Sequence, residues 1–399
     1  MSVILLCSYL GISKDSEAKP LTLSEWNKFL DCMIKNKSEP GVILKQNFRD
    51  ELKNMSFSEK EIGRIEKLIS RGGSVAMELD DLSRKGIEVT TLLDKEYPVL
   101  LRKRLRKRAP VILYYAGDIT LSRKIGIAVV GSRNIDEAGI SFTKDLVKRA
   151  SSEHIIIYSG GARGVDTVSE LTAIENGSAV VSYVADSLLT KIKRREVVKA
   201  IQENKLLLLS DVKPDVGFSA ARAMNRNKYI YASSYGAFAI ASDFNKGGTW
   251  AGAIENMRND WVKMFVWDNS NYAGNSRLIE KGAIPYKLNN EKIYDLIMRK
   301  EKKYEQQDLF SHRENSSQIY VSEADAEKGY IQAEEVTNPE QDDIYYVVKD
   351  CLVDKFRKAM TVDEACERMN MAKGQMKLWI KRLCDEKQLR KQDGKYISN

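Results

Sequence analysis

Two short apolar segments, joined by a segment with helical spacing, stand out in the middle of the chain. Residues 125–130 and 155–158 consist almost entirely of isoleucine, valine and other apolar residues. Between them, residues 137–150 repeat apolar side chains at helical intervals. Continuous apolar runs are typical of buried parallel strands, and a helix that joins two of them makes a right-handed βαβ unit. This pattern predicts the centre of an α/β sheet.

The alternation of apolar runs and helical segments extends in both directions from this unit. Tyr97-Pro98 lies between two predicted strands, and the last predicted strand closes the sheet. The predicted strands outside the central unit are residues 86–90, 111–115, 179–184, 206–209, 236–241 and 262–267. The fold class is therefore α/β, with a doubly wound and mostly parallel sheet in residues 86–298.

Helical patterns occupy the region before the sheet. Residues 23–33 begin with a capping pattern, and a second helix over residues 56–69 is predicted to stop at Gly72-Gly73. Residues 1–85 are therefore predicted to form a helical N-terminal module. Such a module either contacts DNA or another protein, or only packs against its neighbour.

A change of composition separates the sheet from the end of the chain. Residues 299–342 are charged and polar with few large apolar side chains, which predicts a mobile linker. Residues 343–399 regain helical periodicity. The end of this region predicts a wing of two strands that turns at Asp393-Gly394. This order predicts a winged helix with a basic face, for which DNA and protein partners are both open.

Composition narrows the function classes. The 399 residues include 43% hydrophobic and 30% charged residues, with a net charge of +8. The five cysteines show no metal-like spacing, and neither of the two histidines lies in a motif. We therefore expect no metal, no cofactor, no catalytic residues and a cytoplasmic location. No apolar run approaches the length of a membrane span.

Glycine-rich turns follow several of the predicted parallel strands. Because the carboxyl ends of parallel strands share one edge, these turns should lie together, with backbone amides and arginines facing an anion. The alternative is that the glycines only make tight strand–helix turns. The residues predicted to bind phosphate in these turns are Gly131, Ser132, Arg133, Ser159, Gly160, Gly161, Arg163, Gly164, Asp166, Lys246, Gly247, Gly248 and Thr249.

A dense basic run lies between the first two predicted strands. Residues 101–110 read Leu-Arg-Lys-Arg-Leu-Arg-Lys-Arg-Ala-Pro, without an acidic residue. Charge runs are usually solvated helix faces, but an unbroken cluster of cations is also suited to a polyanion. Both interpretations stay open.

Taken in order, these motifs resemble the DprA/Smf family of bacterial DNA-processing proteins. The resemblance covers most of the chain from about residue 86. The matching pieces are Tyr97-Pro98, Gly131-Ser132-Arg133, residues 159–166, Arg226-Asn227-Lys228, residues 246–249 and residues 275–283. It implies an extended Rossmann-like core between a helical module and a winged helix. It also implies single-stranded DNA binding, dimerisation through the core and assistance to a RecA-like recombinase.

The resemblance also assigns roles to individual residues. Ser132 and Arg133 would bind a phosphate, and the glycines of residues 159–164 would present amides. Asp166 would cap the following helix and order that turn, and a plain helix cap is the alternative to a contact with the ligand. Arg226 and Lys228 would continue the positive lane toward residues 246–247.

The chain departs from the family pattern in three places. Ser169-Glu170 stands where many members have a histidine, and residues 182–187 replace a glycine-rich turn. Residues 218–225 form a longer segment than the family's. These departures fit a divergent member that serves phage defence or a mobile element.

A short motif in the predicted linker suggests another partner. Residues 306–310, Gln-Gln-Asp-Leu-Phe, are similar to the peptide by which bacterial proteins dock on the DNA polymerase sliding clamp. Gln306 would form a hydrogen bond, and Leu309 and Phe310 would fill an apolar pocket. Packing of this pair against the core is the alternative.

These observations predict a non-enzymatic, homodimeric protein that binds single-stranded DNA. The alternative is a nucleotide-ligand sensor that uses the same pocket. A glutamate of the related phosphoribohydrolases is replaced by Gly252, which argues against hydrolysis. A third possibility confines DNA contact to the winged helix.

Overall fold

The computed structural model describes residues 1–12, 18–299, 353, 356, 359–369, 373–386, 388–392 and 395–398. The chain divides into two units, Met1–Tyr304 and Glu305–Asn399. Residues 300–342 of the predicted linker, which include the clamp-binding motif at Gln306, Leu309 and Phe310, lie outside the described residues.

Helices form the beginning of the first unit. They are α1 (Ser2–Cys7), α2 (Leu23–Lys35), α3 (Phe48–Asn54), α4 (Glu59–Ser70) and α5 (Gly72–Arg84), with a 3₁₀ helix at Pro40–Leu44. Thr22 caps α2 in a reciprocal capping box with Glu25. The helix α4 ends at Ser70, directly before the predicted stop at Gly72-Gly73, but Arg71 is its C-cap and the two glycines begin α5.

A nine-stranded sheet follows in the described part of the chain. Its strands are β1 (Glu88–Thr91), β2 (Ile112–Ala116), β3 (Gly126–Val130), β4 (Ile156–Ser159), β5 (Val180–Tyr183), β6 (Leu206–Ser210), β7 (Gly236–Ala239), β8 (Met264–Trp267) and β9 (Ile284–Tyr286). The helices between them are α6 (Val99–Leu105), α7 (Glu137–Ser152), α8 (Val165–Glu175), α9 (Leu188–Lys191), α10 (Arg195–Gln202), α11 (Ala220–Ser233), α12 (Gly247–Asn259), α13 (Ala273–Glu280) and α14 (Ile293–Met298). Further 3₁₀ helices lie at Arg106–Arg108 and Ile119–Arg123.

The strand order is β1-β2-β6-β5-β4-β3-β7-β8-β9. All neighbours from β6 to β9 are parallel, whereas β1 and β2 join antiparallel. This arrangement confirms the predicted α/β, mostly parallel, doubly wound sheet. The prediction that residues 262–267 close the sheet is wrong, because β9 pairs with β8 beyond them.

The sheet is buried on both faces. On β3, Ile127 and Val129 belong to one apolar core, whereas Ala128 and Val130 belong to the other. The first core continues into the helical region through residues such as Trp26. Burial on both faces explains why these strands have continuous apolar runs instead of an alternating pattern. The predicted boundary at residue 85 stays a prediction.

The second unit contains α15 (Val362–Met369), α16 (Lys373–Asp385) and an antiparallel pair formed by β10 (Leu389–Gln392) and β11 (Lys395–Ser398). Its core includes Phe356, Met376 and Leu383. The winged helix stays a prediction, because residues 343–352 and the turn at residues 393–394 fall outside the described residues. Among the described helices, none combines the length and apolar character needed to cross a membrane.

Candidate functional site

The order of the central strands creates a natural ligand site. From β3 the chain first adds β4, β5 and β6 on one side, and then returns to place β7 on the other. Helices therefore leave β3 and β7 in opposite directions, and a crevice opens at the carboxyl ends of these two strands. A cavity of about 420 Å³ lies there. Among the residues predicted from sequence, it is lined by Gly131, Ser132, Arg133, Asp166, Arg226, Lys246, Gly247, Gly248 and Thr249.

The turn after β3 forms one wall of this cavity. The Ser132 amide donates a hydrogen bond to the carbonyl of Ala241 (2.9 Å), which ties the turn to the end of β7. A Cβ atom at Gly131 would lie 2.3 Å from the Val165 side chain, so the close approach of α8 requires glycine. The Arg133 guanidinium is exposed and lies 5.5 Å from the centre of the Phe218 ring. Its charge is thus available at the cavity mouth.

The turn after β4 is built around a buried arginine. Arg226 is 5% exposed and donates a hydrogen bond to the carbonyl of Gly160 (2.7 Å). A Cβ atom at Gly160 would lie 1.6 Å from the Arg226 guanidinium, so any larger residue would displace it. Arg226 is therefore buried beneath the turn and holds it in place. The resemblance instead implies that Arg226 contributes to a positive lane for DNA.

Asp166 completes this buried arrangement. Its carboxylate lies 3.9 Å from the Arg226 guanidinium and accepts a hydrogen bond from the Ala162 amide (3.3 Å). Burial raises the pKa of Asp166, and the positive charge of Arg226 opposes that shift. Asp166 orders the turn as expected, whereas the N-cap position of α8 is occupied by Gly164.

Of the predicted residues of this turn, Asp166 lines the cavity, whereas Ser159, Gly160, Gly161, Arg163 and Gly164 do not. Ser159 is fully buried, and its hydroxyl has no hydrogen-bond partner among the described residues. Gly161 faces Ser182 and Lys191 instead. Arg163 is exposed and lies outside the cavity lining.

Glu170, which is not among the residues predicted to bind phosphate, fixes the same turn. The Glu170 carboxylate accepts hydrogen bonds from the Gly161 amide (2.9 Å) and from the Ser182 hydroxyl (2.7 Å). Glu170 and Ser182 belong to two of the departures from the family pattern, and the structure shows that they bond to each other. Burial is the main cause of the raised pKa of Glu170.

The raised pKa gives a pH-dependent stability. Because the folded pKa of Glu170 lies above 4.5, the folded chain binds this proton more tightly than the unfolded chain. The contribution of protonated Glu170 to the free energy of unfolding is therefore present at low pH and is lost as the pH rises through the folded pKa. We expect the free energy of unfolding of Glu170→Gln to increase relative to that of the parent as the pH rises through this pKa, measured by urea unfolding across a pH series. Glu175→Gln, which removes an exposed carboxylate from the same helix, is the control. Parallel curves for Glu170→Gln and the parent would contradict the prediction.

The start of α12 forms the opposite wall of the cavity. Lys246 occupies the N-cap position without a side-chain capping bond and is exposed. The free amides of the first turn of α12 therefore lie at the cavity, where the helix dipole favours an anion. The exposed carboxylate of Asp243 also lines the cavity and reduces its positive charge.

Lys228 does not share the cavity with Arg226. It is half-buried, donates a hydrogen bond to the Asn225 side chain (2.8 Å) and lies 5.5 Å from the centre of the Tyr229 ring. Positions two apart on a helix point to different sides, which explains the separation. The predicted lane through Arg226 and Lys228 is therefore split.

Much of the basic run over residues 101–110 bonds to the protein itself. Arg104 donates to the carbonyls of Ala232 and Ser234. Lys107 pairs with Asp31 at 2.8 Å, and Arg108 donates to Asn259 (2.8 Å). Several side chains of this run therefore bond to other elements of the protein. Neither of the two interpretations, a solvated helix face or a surface that binds a polyanion, describes all of these residues.

The described residues contain no group of three or more histidine, cysteine or acidic side chains placed to hold a metal ion. At Gly252, a Cβ atom would lie 2.9 Å from the Tyr231 ring. A glutamate at this position would therefore require Tyr231 to move.

Comparisons with known proteins agree with the geometry. The family model described as DNA recombination-mediator protein A matches residues 88–297. The chain is 28% identical over 207 residues to the DNA processing protein DprA of Bacillus subtilis, which covers 50% of this chain and 68% of that relative. It is 32% identical over 80 residues to DprA of Streptococcus pneumoniae, which covers 20% of this chain and only 28% of that relative.

A solved structure gives the same fold. The X-ray structure of DprA from Streptococcus pneumoniae aligns with a TM-score of 0.51 at 23% identity. The alignment covers 67% of this chain and 90% of the other. The shared fold extends beyond the short segment of closest sequence similarity.

Proposed function

The chain belongs to the DNA recombination-mediator protein A family, and from this premise we propose that it binds single-stranded DNA without catalysing a reaction. The observation that carries the proposal is the cavity at the carboxyl ends of β3 and β7. Two exposed cations, Arg133 and Lys246, line this cavity on opposite sides. Neither forms a salt bridge within the described part of the chain.

A phosphate of the DNA backbone fits this combination of groups. The Ser132 hydroxyl, the amides at the start of α12 and the two cations supply neutral and charged donors around one space. Packing requires glycine at two positions beside this space, since a Cβ atom would lie 2.3 Å from the Val165 side chain at Gly131 and 2.2 Å from the Ser132 carbonyl oxygen at Gly164. Arg226 and Asp166 shape this space from within, and we assign them no direct contact with DNA.

A non-enzymatic role follows from the chemistry of the lining. Asp166, the buried carboxylate, is committed to the turn and to Arg226. Ser132 has no histidine in the cavity lining to act as its base. The groups present can bind an anion, but they do not form a nucleophile–base pair.

The further parts of the proposal concern partners. We propose a homodimer formed through the core, assistance to a RecA-like recombinase and a winged helix in residues 343–399. Clamp binding through Gln306, Leu309 and Phe310 is a separate proposal. Equal capture of the clamp by the parent, Leu309→Ala and Phe310→Ala would refute it.

The deciding experiment is fluorescence anisotropy with labelled single-stranded and duplex DNA of the same sequence over a salt series. We expect tighter binding of the single strand and a linear loss of log affinity with log salt, because each bound phosphate releases counterions. A chain that ends at Asn338 should retain this binding. Equal affinity for duplex DNA, or binding lost with residues 339–399, would contradict the proposal. Binding of a labelled nucleotide but not of DNA would favour the sensor.

A further inference from the structure

An exposed aromatic ring stands beside the cavity in the loop between β7 and α12. Phe244 is 45% exposed, and it lies between Asp243 and Lys246, which both line the cavity. The Trp250 ring meets it edge-on, with ring centres 5.2 Å apart and planes at 86°. The Arg277 guanidinium lies 5.7 Å from the centre of the Phe244 ring. A ring, a cation and the cavity rim thus occur together.

The loop that carries this ring is held firmly. The Gly274 amide donates a hydrogen bond to the Ser242 carbonyl (3.0 Å). A Cβ atom at Gly274 would lie 2.2 Å from the same oxygen, so the start of α13 packs directly on the loop. Asn245 adopts a left-handed conformation with φ of 56°, which turns the chain toward α12. The exposure of Phe244 is therefore imposed by a fixed backbone, which is what a preorganised contact requires.

We propose that Phe244 and Arg277 form a base-stacking platform at the rim of the cavity. This inference rests on the proposed function and adds a second contact to it. With a phosphate in the cavity, the neighbouring base would stack on the Phe244 ring, and the Arg277 guanidinium would meet the next phosphate. Aromatic rings beside cations are suited to single strands because every base offers a flat face, whatever the sequence.

The charge of Arg277 is available for this role. Arg277 pairs with Glu280 at 2.6 Å, but both side chains are more than half exposed, at 56% and 57%. Exposed pairs of this kind contribute little stability, so a phosphate can replace Glu280 at small cost. A base paired in a duplex cannot turn its face toward Phe244, and the platform therefore selects single strands over duplex DNA.

Phe244→Leu tests the platform, with Phe244→Tyr as the variant that keeps the ring. We expect Phe244→Leu to weaken binding of a labelled single strand about 5- to 150-fold, the range for loss of one stacked base. Phe244→Tyr should bind like the parent. Tyr294→Leu removes another aromatic ring that is 45% exposed and serves as the matched control. Unchanged melting temperatures would establish that the variants fold.

An abasic scan identifies the stacked base directly. One abasic position, moved along a single strand just long enough to fill the site, should weaken binding to the parent most where it lies opposite Phe244 and should cost Phe244→Leu little there. Weakening by Arg133→Ala together with parental affinity in Phe244→Leu would overturn the platform while leaving the proposed function in place. Absence of single-strand binding by the parent would overturn both.

Discussion

Loss of both cations at the cavity mouth should reduce single-stranded DNA binding by at least about 100-fold, since two charge-assisted hydrogen bonds of about 1.5–3 kcal/mol each are lost together. The variant is Arg133→Ala with Lys246→Ala, measured by fluorescence anisotropy at fixed salt. Both side chains line the cavity and are exposed, so their removal leaves no buried gap. The slope of log affinity against log salt should also fall by about 1.4, which corresponds to two phosphate contacts on a single strand.

The matched control is Lys144→Ala with Lys148→Ala. These lysines are exposed on α7, lie outside the cavity lining and remove the same net charge. An equal loss of affinity in the two double variants would show that only the overall charge matters. Parental affinity in the Arg133 and Lys246 variant would place DNA binding on another surface. Lys228→Ala should have a small effect, because Lys228 bonds to Asn225 on a different side of α11.

The central strands and the edge strand β1 were predictable from sequence, whereas the other edge strand, β9, was not. The runs that became β3 to β8 are continuously apolar because helices cover both faces. The missed strand β9 has three residues and contains Pro285, which lacks a backbone N–H. Proline is tolerated at an edge such as this one, where only β8 is a neighbour, so the local pattern gave no sign of a strand.

In the candidate site, too, the features that follow from local sequence were predictable, whereas those that depend on tertiary packing were not. The turns at residues 131–133 and 246–249 were predicted to meet because strand ends share an edge, and the cavity brings them together. The opposite fates of Arg226 and Lys228 depend on how α11 is rotated against the sheet, which their adjacency in sequence does not reveal. The bond between Glu170 and Ser182 joins residues on separate elements. In the sequence, each of these two residues stands out only as a departure from a family pattern.

The buried pair of Arg226 and Asp166 explains how an exposed anion site keeps its shape. The Gly160 carbonyl accepts its hydrogen bond from Arg226, and the Ala162 amide donates to Asp166. Both ends of the turn after β4 are thus attached to one ion pair beneath it. Burial lowers the pKa of Arg226 and raises the pKa of Asp166, and the charge of each partner opposes the shift of the other.

Arg226→Met should therefore lower the free energy of unfolding by about 3–5 kcal/mol, the usual cost of leaving one buried charge without its partner. Adding Asp166→Asn removes the stranded charge and should recover more than half of that loss, measured by urea unfolding followed by circular dichroism. Arg163→Met, an exposed arginine on the same turn, is the control and should unfold like the parent. If the double variant is no more stable than Arg226→Met alone, the loss arises from the Gly160 hydrogen bond and from packing. In that case the ion pair does not hold the turn, and the shape of the DNA site depends on the Gly160 carbonyl contact instead.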